Sequence, residues 1–426
     1  MKSCTEVKSL LNRGNLNDTL KDIYIDDDQI EYQRKRYADA IDSFIKLYGE
    51  GEVEIYSAPG RSEVGGNHTD HQHCQVLAAG LNLDIIAVVS KRDDGIIKVV
   101  SGSYDIKEID LNDLEKKDSE EGSSEGLIRG LAYKLKSDGY NVGGFNAYMT
   151  SDVLQGSGMS SSAAFEVVVG TVLSGLYNDM KISPVYIAQA SQYSENVYFG
   201  KPCGLMDQMA SSVGSLVNID FKDVKNPVIN RVEVDFASFN HSLCIVDTKG
   251  DHANLTPEYA AIPYELKALC RYFGAEYLRD VDEKEFFKDI SGARKSAGDR
   301  AVLRAMHVYE DHKRVDYEVE ALKAGDFERF KELIVESGRS SFQYLQNVYP
   351  NCDVQNQSVA LGLAFSERIL KGKGAWRVHG GGFAGTIQAF VPNDMVETYK
   401  KEMEYYFGEG CCYVLKIRKY GGMKVL

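Results

Sequence analysis

The sequence predicts an α+β fold in two domains, residues 1–245 and 246–426. Three observations carry the prediction. A chain of 426 residues exceeds what a single hydrophobic core commonly holds. Strand-like and helix-like stretches alternate without the regular βαβ rhythm of a doubly wound sheet. Beyond residue 245 the chain turns helix-rich, whereas most strand-like segments precede it.

The elements follow in order. "VEIYSAPG" alternates as a strand does and is expected to stop at Pro59-Gly60. "IIKVVSGSY" reads as a strand, and the acidic "KKDSEEGSSEG" as a loop before a helix over "LIRGLAYKLKSDG". "FNAYMTSDVL" is strand-like and leads into "QGSGMSSSAAFEVVVGTVLSGLYN". The latter part of that segment is apolar on every side, with Glu166 its only charge, which predicts a buried helix. Another helix fits "SPVYIAQASQYSENVYFG", with Pro184 placed where its missing N–H costs little. "SLVNIDF" and "SLCIVDTKG" read as strands closing the first domain. Thr256-Pro257-Glu258 has the character of a helix start, and "ALKAGDFERFKELIVES" reads as one amphipathic helix. "AWRVHGGGFAGTIQAFVP" reads as strand, glycine turn and strand. A helix over "DMVETYKKEMEYYFG" and a strand over "CCYVLKIRKY" complete the series.

Composition excludes several classes. The net charge of −14 argues against nucleic acid or an anionic membrane as partner, since both reward clustered Lys and Arg. "MKSCTEVKSLLNRGN" lacks the apolar core of a secretory signal. "LAAGLNLDIIAVV" is too short to span a bilayer and contains Asn82 and Asp84. The eight cysteines form no CxxC pair, so reduced thiols in a cytoplasmic protein are expected. A monomer is the separate expectation, and no sequence feature fixes the oligomeric state. The adjacent Cys411 and Cys412 stand out only by adjacency.

Four stretches carry chemistry. "GSGMSSSAA" (156–164) stands where a strand gives way to a buried helix. It reads as a flexible linker or as an anion site. The first N–H groups of a buried helix lack intrahelical partners, and a phosphate there would satisfy them. Gly156, Ser157, Gly158, Met159, Ser160, Ser161 and Ser162 make up that loop, and the serine hydroxyls offer further donors or a Mg²⁺ ligand. No GxxxxGK[ST] is present, so this is not a Walker loop. "HGGGFAG" (379–385) is either a tight turn or a second approach of backbone to a ligand. In "ENVYFGKPCGLMDQ", Glu195 shares a helical face with Val185, Ala188, Gln192 and Phe199, and Asp207 closes the stretch. "GGNHTDHQHC" (65–74) gathers His68, Asp70, His71, His73 and Cys74, as a metal site or as polar groups around a ligand; no standard zinc spacing fits.

In this order and spacing, "APGRSEVGGNHTDHQ", "GSGMSSSAAFEV", "CGLMDQ" and "GGGFAG" resemble the galactokinase branch of the GHMP kinases. The likeness runs from about residue 30 to the C-terminus. It implies two α+β domains with the active site in the cleft between them, and ATP-dependent phosphorylation of a sugar at its anomeric hydroxyl. By the same resemblance, Asp207 accepts the proton and Arg61 holds Asp207 ionised. Ser162 and Glu195 carry Mg²⁺, residues 156–162 cradle the ATP phosphates, and Ser101 lies near the nucleotide. Asn67, His68, Thr69, Asp70 and Tyr259 face the sugar, while His71 and His73 support the loop. This reading leaves no metal in "HTDHQHC".

The sequence departs from the family at two points that bear on the sugar. Galactokinases usually read GEHTDYN where this chain reads "GNHTDHQ", and "HTDHQ" is similar to a run in the galacturonate kinases of plants. A neutral Asn67 removes a negative charge that would reject a C6 carboxylate. Galactose is the first expectation and galacturonate the second. A sugar sensor without turnover is the alternative from another class, and the complete set of base, metal ligands and phosphate loop speaks against it.

Overall fold

The computed structural model describes residues 1–153, 158–250 and 255–426. Among them the strands form two sheets, one of nine strands and one of four. The spine of the larger sheet is the antiparallel pair Glu52–Gly65 and Gln75–Arg92. Every residue of Glu52–Gly65 after Glu52 is buried. This strand does not stop at Pro59-Gly60 as the sequence suggested. Register shifts between Pro59 and Arg61, and between Glu63 and Gly65, carry it through. Such irregularities take up a proline that cannot donate to the ladder, and they re-aim the side chains that follow. Arg61 is the first of these.

One face of the large sheet holds the buried helix Ser161–Asn178, packed with Ser124–Ser137, Pro184–Tyr193 and Met206–Val213. Thirteen of its 18 residues are buried, Glu166 among them, as its all-round apolar pattern implied. Three helices cover other parts of the sheet, Cys4–Asn12, Asn17–Tyr24 and Ile30–Tyr48, none of which the sequence pattern had singled out. Tyr37, Ala40, Ile41 and Phe44 supply the apolar stripe of the last. Arg36 of the same helix reaches the fully buried Asp84 at 2.7 Å, and Arg418 meets Asp84 from the far end of the chain at 2.9 Å.

The smaller sheet runs in the order Ala375–Val378, Thr386–Pro392, His241–Asp247, Cys412–Leu415. "SLCIVDTKG", expected to close the first domain, is therefore an inner strand of the second sheet. The division drawn at residue 245 falls inside this strand. The chain end then returns to the large sheet, where Met423–Lys424 pairs with Ser57 and Tyr56.

"ALKAGDFERFKELIVES" is two helices rather than one. Asp299–Ala324 ends at Gly325, whose φ of +72° suits a left-handed cap, and the Asp326 side chain accepts from the N–H of Arg329 to open Phe327–Ser340. Cys411 and Cys412 are buried, so adjacency gives them no exposure. Among the described residues no helix is long and apolar enough to cross a membrane.

Candidate active site

A cavity of about 300 Å³ opens where the two sheets meet. Arg61, Ser160, Ser161, Ser162, Asp207, Tyr259 and glycines 380–382 line it, with Lys201 and His379. Segments more than 300 positions apart in the chain thus share one space.

Arg61 and Asp207 form a two-pronged pair. Nε donates to Oδ1 and Nη2 to Oδ2, each at 2.7 Å, while Nη1 donates to the carbonyl of Gly158. Ser160 Oγ donates to Asp207 Oδ2 at 2.7 Å. Burial alone would raise the Asp207 carboxyl, but the guanidinium and the serine hydroxyl outweigh it and hold Asp207 below the usual carboxylate range. Asp207 also sits in the first turn of Met206–Val213, where the helix dipole favours an anion. It is ionised at neutral pH.

The segment before Ser161–Asn178 meets the second sheet. At Gly158 φ is +72°, and a Cβ there would lie 2.2 Å from Thr386 Oγ1, so only glycine fits. Ser160 caps the helix with φ +56° and makes no side-chain cap bond; its hydroxyl is spent on Asp207. Ser160 therefore offers the N-terminal N–H groups no side-chain acceptor. Met159 departs from expectation. Its side chain is fully buried in the core, and only its carbonyl takes part, accepting from the Arg61 N–H at 3.1 Å. Gly156 and Ser157 lie outside the described residues. Ser101 ends the strand Ile96–Ser101 opposite Tyr104 and Met149, and it does not line the cavity.

Glu195 lies on a π-helical turn, Ser194–Phe199, and is 3% exposed. Gln208 Nε2 donates to its Oε2 at 2.6 Å, Cys203 Sγ at 3.3 Å, and Lys201 Nζ meets Oε1 at 3.4 Å. The same Gln208 nitrogen reaches Glu166 Oε2 at 3.3 Å. Burial, then the nearness of Glu195, pushes the Glu166 carboxyl well up. Its Oε1 has no hydrogen-bond partner among the described residues. Glu166, Gln208 and Lys201 went unassigned in the sequence. The signal for Glu166 was its position as the only charge in an apolar helix, one turn after Ser162.

The "GNHTDHQ" loop is largely occupied with itself. Asn67, expected to face the sugar, is fully buried. Its Nδ2 donates to Glu63 Oε1 at 2.9 Å and to the Gly380 carbonyl at 2.8 Å. Its Oδ1 accepts from Ser341 Oγ at 3.0 Å and Asn347 Nδ2 at 2.9 Å. Two donor hydrogens and two acceptor sites are all used. Thr69 is also fully buried, with Oγ1 2.8 Å from the Gly66 carbonyl and 2.6 Å from that of Gln75. These two calls are corrected: neither side chain presents a polar atom to the cavity.

His68 and His71 form a directed chain. Gln72 Nε2 donates to His71 Nδ1 (3.1 Å), which leaves His71 Nε2–H to donate to His68 Nδ1 (3.3 Å), and His68 Nε2–H to donate to the Gly381 carbonyl (3.0 Å). Burial lowers both rings, His71 to about 4 and His68, with His71 beside it, to about 3. His73 stacks on Tyr277 at 3.6 Å. Among the described residues no group of three or more His, Cys, Asp or Glu is arranged to hold a metal ion. Asp70 differs from its neighbours. Its carboxyl is raised by burial and by Asp207, and Oδ2 packs so closely on Gly204 that a Cβ there would sit 1.8 Å away. Tyr259 donates to the Gly382 carbonyl at 2.9 Å and meets the ring of Phe383 edge-on.

A buried-helix N-terminus and a glycine run line one cavity with an Arg–Asp pair, an arrangement suited to an anionic, phosphate-bearing ligand beside a carboxylate base. Residues 126–215 match the family described as GHMP kinases N terminal domain, and residues 42–91 the galactokinase galactose-binding signature. The chain is 32% identical over 362 residues to a galactokinase of Glaesserella parasuis serovar 5, covering 84% of this chain and 90% of that one. It also resembles the crystal structure of Lactococcus lactis galactokinase complexed with galactose, with a TM-score of 0.78 and 25% identity over 91% of this chain and 99% of that one. Mevalonate kinase of Methanococcus jannaschii shares the fold at a TM-score of 0.61 and 15% identity, over 86% of this chain and 99% of that one. The chain belongs to the galactokinase family.

Proposed function

We propose that the protein transfers the terminal phosphoryl group of ATP to the anomeric hydroxyl of galactose, giving galactose 1-phosphate and ADP. The observation that carries this reading is the Arg61–Asp207 pair, lining the same cavity as the N-terminus of Ser161–Asn178 and the glycine run. The sugar is assigned from the family, whose named relative is a galactokinase and whose galactose-binding signature covers residues 42–91.

The sugar oxygen forms a bond to the terminal phosphorus, the bond from that phosphorus to the bridging oxygen breaks, and the hydroxyl proton passes to an Asp207 oxygen. Asp207 is a weak base, held ionised by Arg61. That suits phosphoryl transfer, whose loose transition state asks for positioning and charge neutralisation more than for strong deprotonation. The N–H groups at the start of Ser161–Asn178 receive phosphate oxygens. Asp70 and Tyr259 orient the sugar, together with the backbone of glycines 380–382.

Mg²⁺ is the metal the family implies. Ser162 and Glu195 offer hard oxygen donors, and a small protein set suits an ion that keeps water and phosphate oxygens as its other ligands. Glu195 already draws a cation, the Lys201 ammonium, so a divalent ion fits there. Held by Ser162 and Glu195, Mg²⁺ would supply positive charge to offset that of the phosphate oxygens.

Galacturonate, the second expectation, loses the part of its support that came from a neutral residue at position 67. The argument for it rested on Asn67 beside C6, and Asn67 is enclosed. Coupled detection of ADP over a panel of free hexoses and hexuronates, with phosphorus NMR of the product, tests the assignment. ADP release with galactose and a phosphate on C1 is the expected result; tight sugar binding without turnover would overturn it.

A further inference from the structure

We propose that Lys201 is a catalytic residue, whose ammonium contacts the terminal phosphoryl group of the nucleotide and in the ligand-free protein is parked on Glu195. This rests on the kinase reading above. The argument begins with the charges around the cavity. Among its described lining residues the cations are Arg61 and Lys201. Arg61 is committed through three nitrogens, two on Asp207 and one on the Gly158 carbonyl. His379 supplies no charge, because burial and Arg61 hold its ring far below neutrality. A triphosphate entering this space therefore finds one mobile cation among the described lining residues, Lys201.

Its attachment fits such a role. The Lys201 N–H donates to the Glu195 carbonyl at 3.1 Å, and Gly200 with φ +82° ends the π-helical turn, so the backbone is held. The side chain is 64% exposed, and among the described residues its ion pair is the 3.4 Å contact with Glu195. With the ammonium end exposed and the contact at 3.4 Å, the pair is readily exchanged. The flexible four-carbon stem lets the Lys201 ammonium leave Glu195 for the nearest phosphate, as it would when a divalent cation takes its place there. Charge moves during transfer from the terminal phosphoryl oxygens to the bridging oxygen, and an ammonium there stabilises both without giving up its proton.

Lys201→Met and Lys201→Arg test this. Calorimetric binding of ATP and of ADP, each with Mg²⁺ and without sugar, is measured beside kcat with galactose. Lys201→Met is expected to bind ATP ~5-fold or more weakly, to leave ADP affinity nearly unchanged, and to lower kcat ~10–100-fold, with Lys201→Arg recovering most of the loss. The proposal is overturned if Lys201→Met binds ATP and turns over like wild type. Equal losses for ATP and ADP also overturn it, since they indicate general damage to the site. If the wild-type protein phosphorylated no sugar, the kinase reading would fail, while the ATP–ADP comparison would still decide the role of Lys201.

Discussion

Replacing Asn67 by Asp changes one nitrogen to oxygen at a position with no solvent exposure. In the wild type that nitrogen donates both its hydrogens, to Glu63 Oε1 at 2.9 Å and to the Gly380 carbonyl at 2.8 Å. A carboxylate there would face another carboxylate at about 2.9 Å, a repulsion of roughly 6 kcal/mol at an effective dielectric of 20. The protein relieves this by keeping a proton on one of the two acids. Glu63 is already raised, by burial against the opposing pull of Arg377, to about 7. The new acid therefore titrates higher in the folded than in the unfolded state, the folded state binds more protons, and stability falls as pH rises. Each unit of pH above the unfolded carboxylate value costs up to about 1.4 kcal/mol. Between about pH 5 and pH 8 the deficit should grow by up to ~4 kcal/mol. For 426 residues the unfolding entropy is about 0.9 kcal/mol per degree, so the loss in Tm should be ~4 °C larger at the upper pH. Thermal melts of both proteins across this range measure it. A Tm difference that is absent, or constant with pH, would refute the enclosed network. The kcat/KM ratio for galactose over galacturonate should stay within ~3-fold for the folded variant, since the side chain meets no ligand; a tenfold change would restore the view that position 67 reads C6.

Other outcomes follow from the same geometry. Asp207→Asn keeps the size of the side chain and removes the base, so kcat should fall by ~10²-fold or more while sugar affinity measured by calorimetry changes little; near-normal turnover would remove Asp207 from its role. Glu318 is fully buried, neither carboxyl oxygen has a hydrogen-bond partner among the described residues, and burial lifts it to about 8. As an acid raised in the folded state it costs stability as pH climbs from about 4.5 towards 8, so Glu318→Gln should flatten the Tm–pH curve there; an unchanged slope would exclude Glu318 as the source. His68 and His71 titrate low, so the unfolded chain binds more protons below about pH 6.5 and stability should drop as pH falls from there; His71→Gln should lessen that drop in denaturant titrations. Elemental analysis of protein purified without chelator should find less than one equivalent of zinc, because no metal-holding cluster exists among the described residues.

Local signals in the chain were sufficient for the elements whose environment is uniform. The helix Ser161–Asn178 was legible because an apolar residue on every side has only one solution, burial. The four motifs likewise marked Arg61, Ser160 to Ser162, Glu195, Asp207 and the glycine run, and the fold brings most of them to one cavity. The break at Gly325-Asp326 was also written locally, as a left-handed cap followed by an N-cap. Other features depended on distant partners. Periodicity shows that "SLCIVDTKG" is a strand but not which sheet takes it, since pairing with Thr386–Pro392 depends on a segment about 140 residues away. Asn67 is the clearest case. Its donors and acceptors look free for a ligand in sequence, yet Glu63, Gly380, Ser341 and Asn347 consume all of them. Lys201 is the converse, an ordinary lysine by its neighbours in sequence and a cation at the cavity by its place in the fold. Chain order determines which polar groups exist; whether each meets a ligand or another part of the protein depends on which segments the tertiary fold packs within hydrogen-bonding reach.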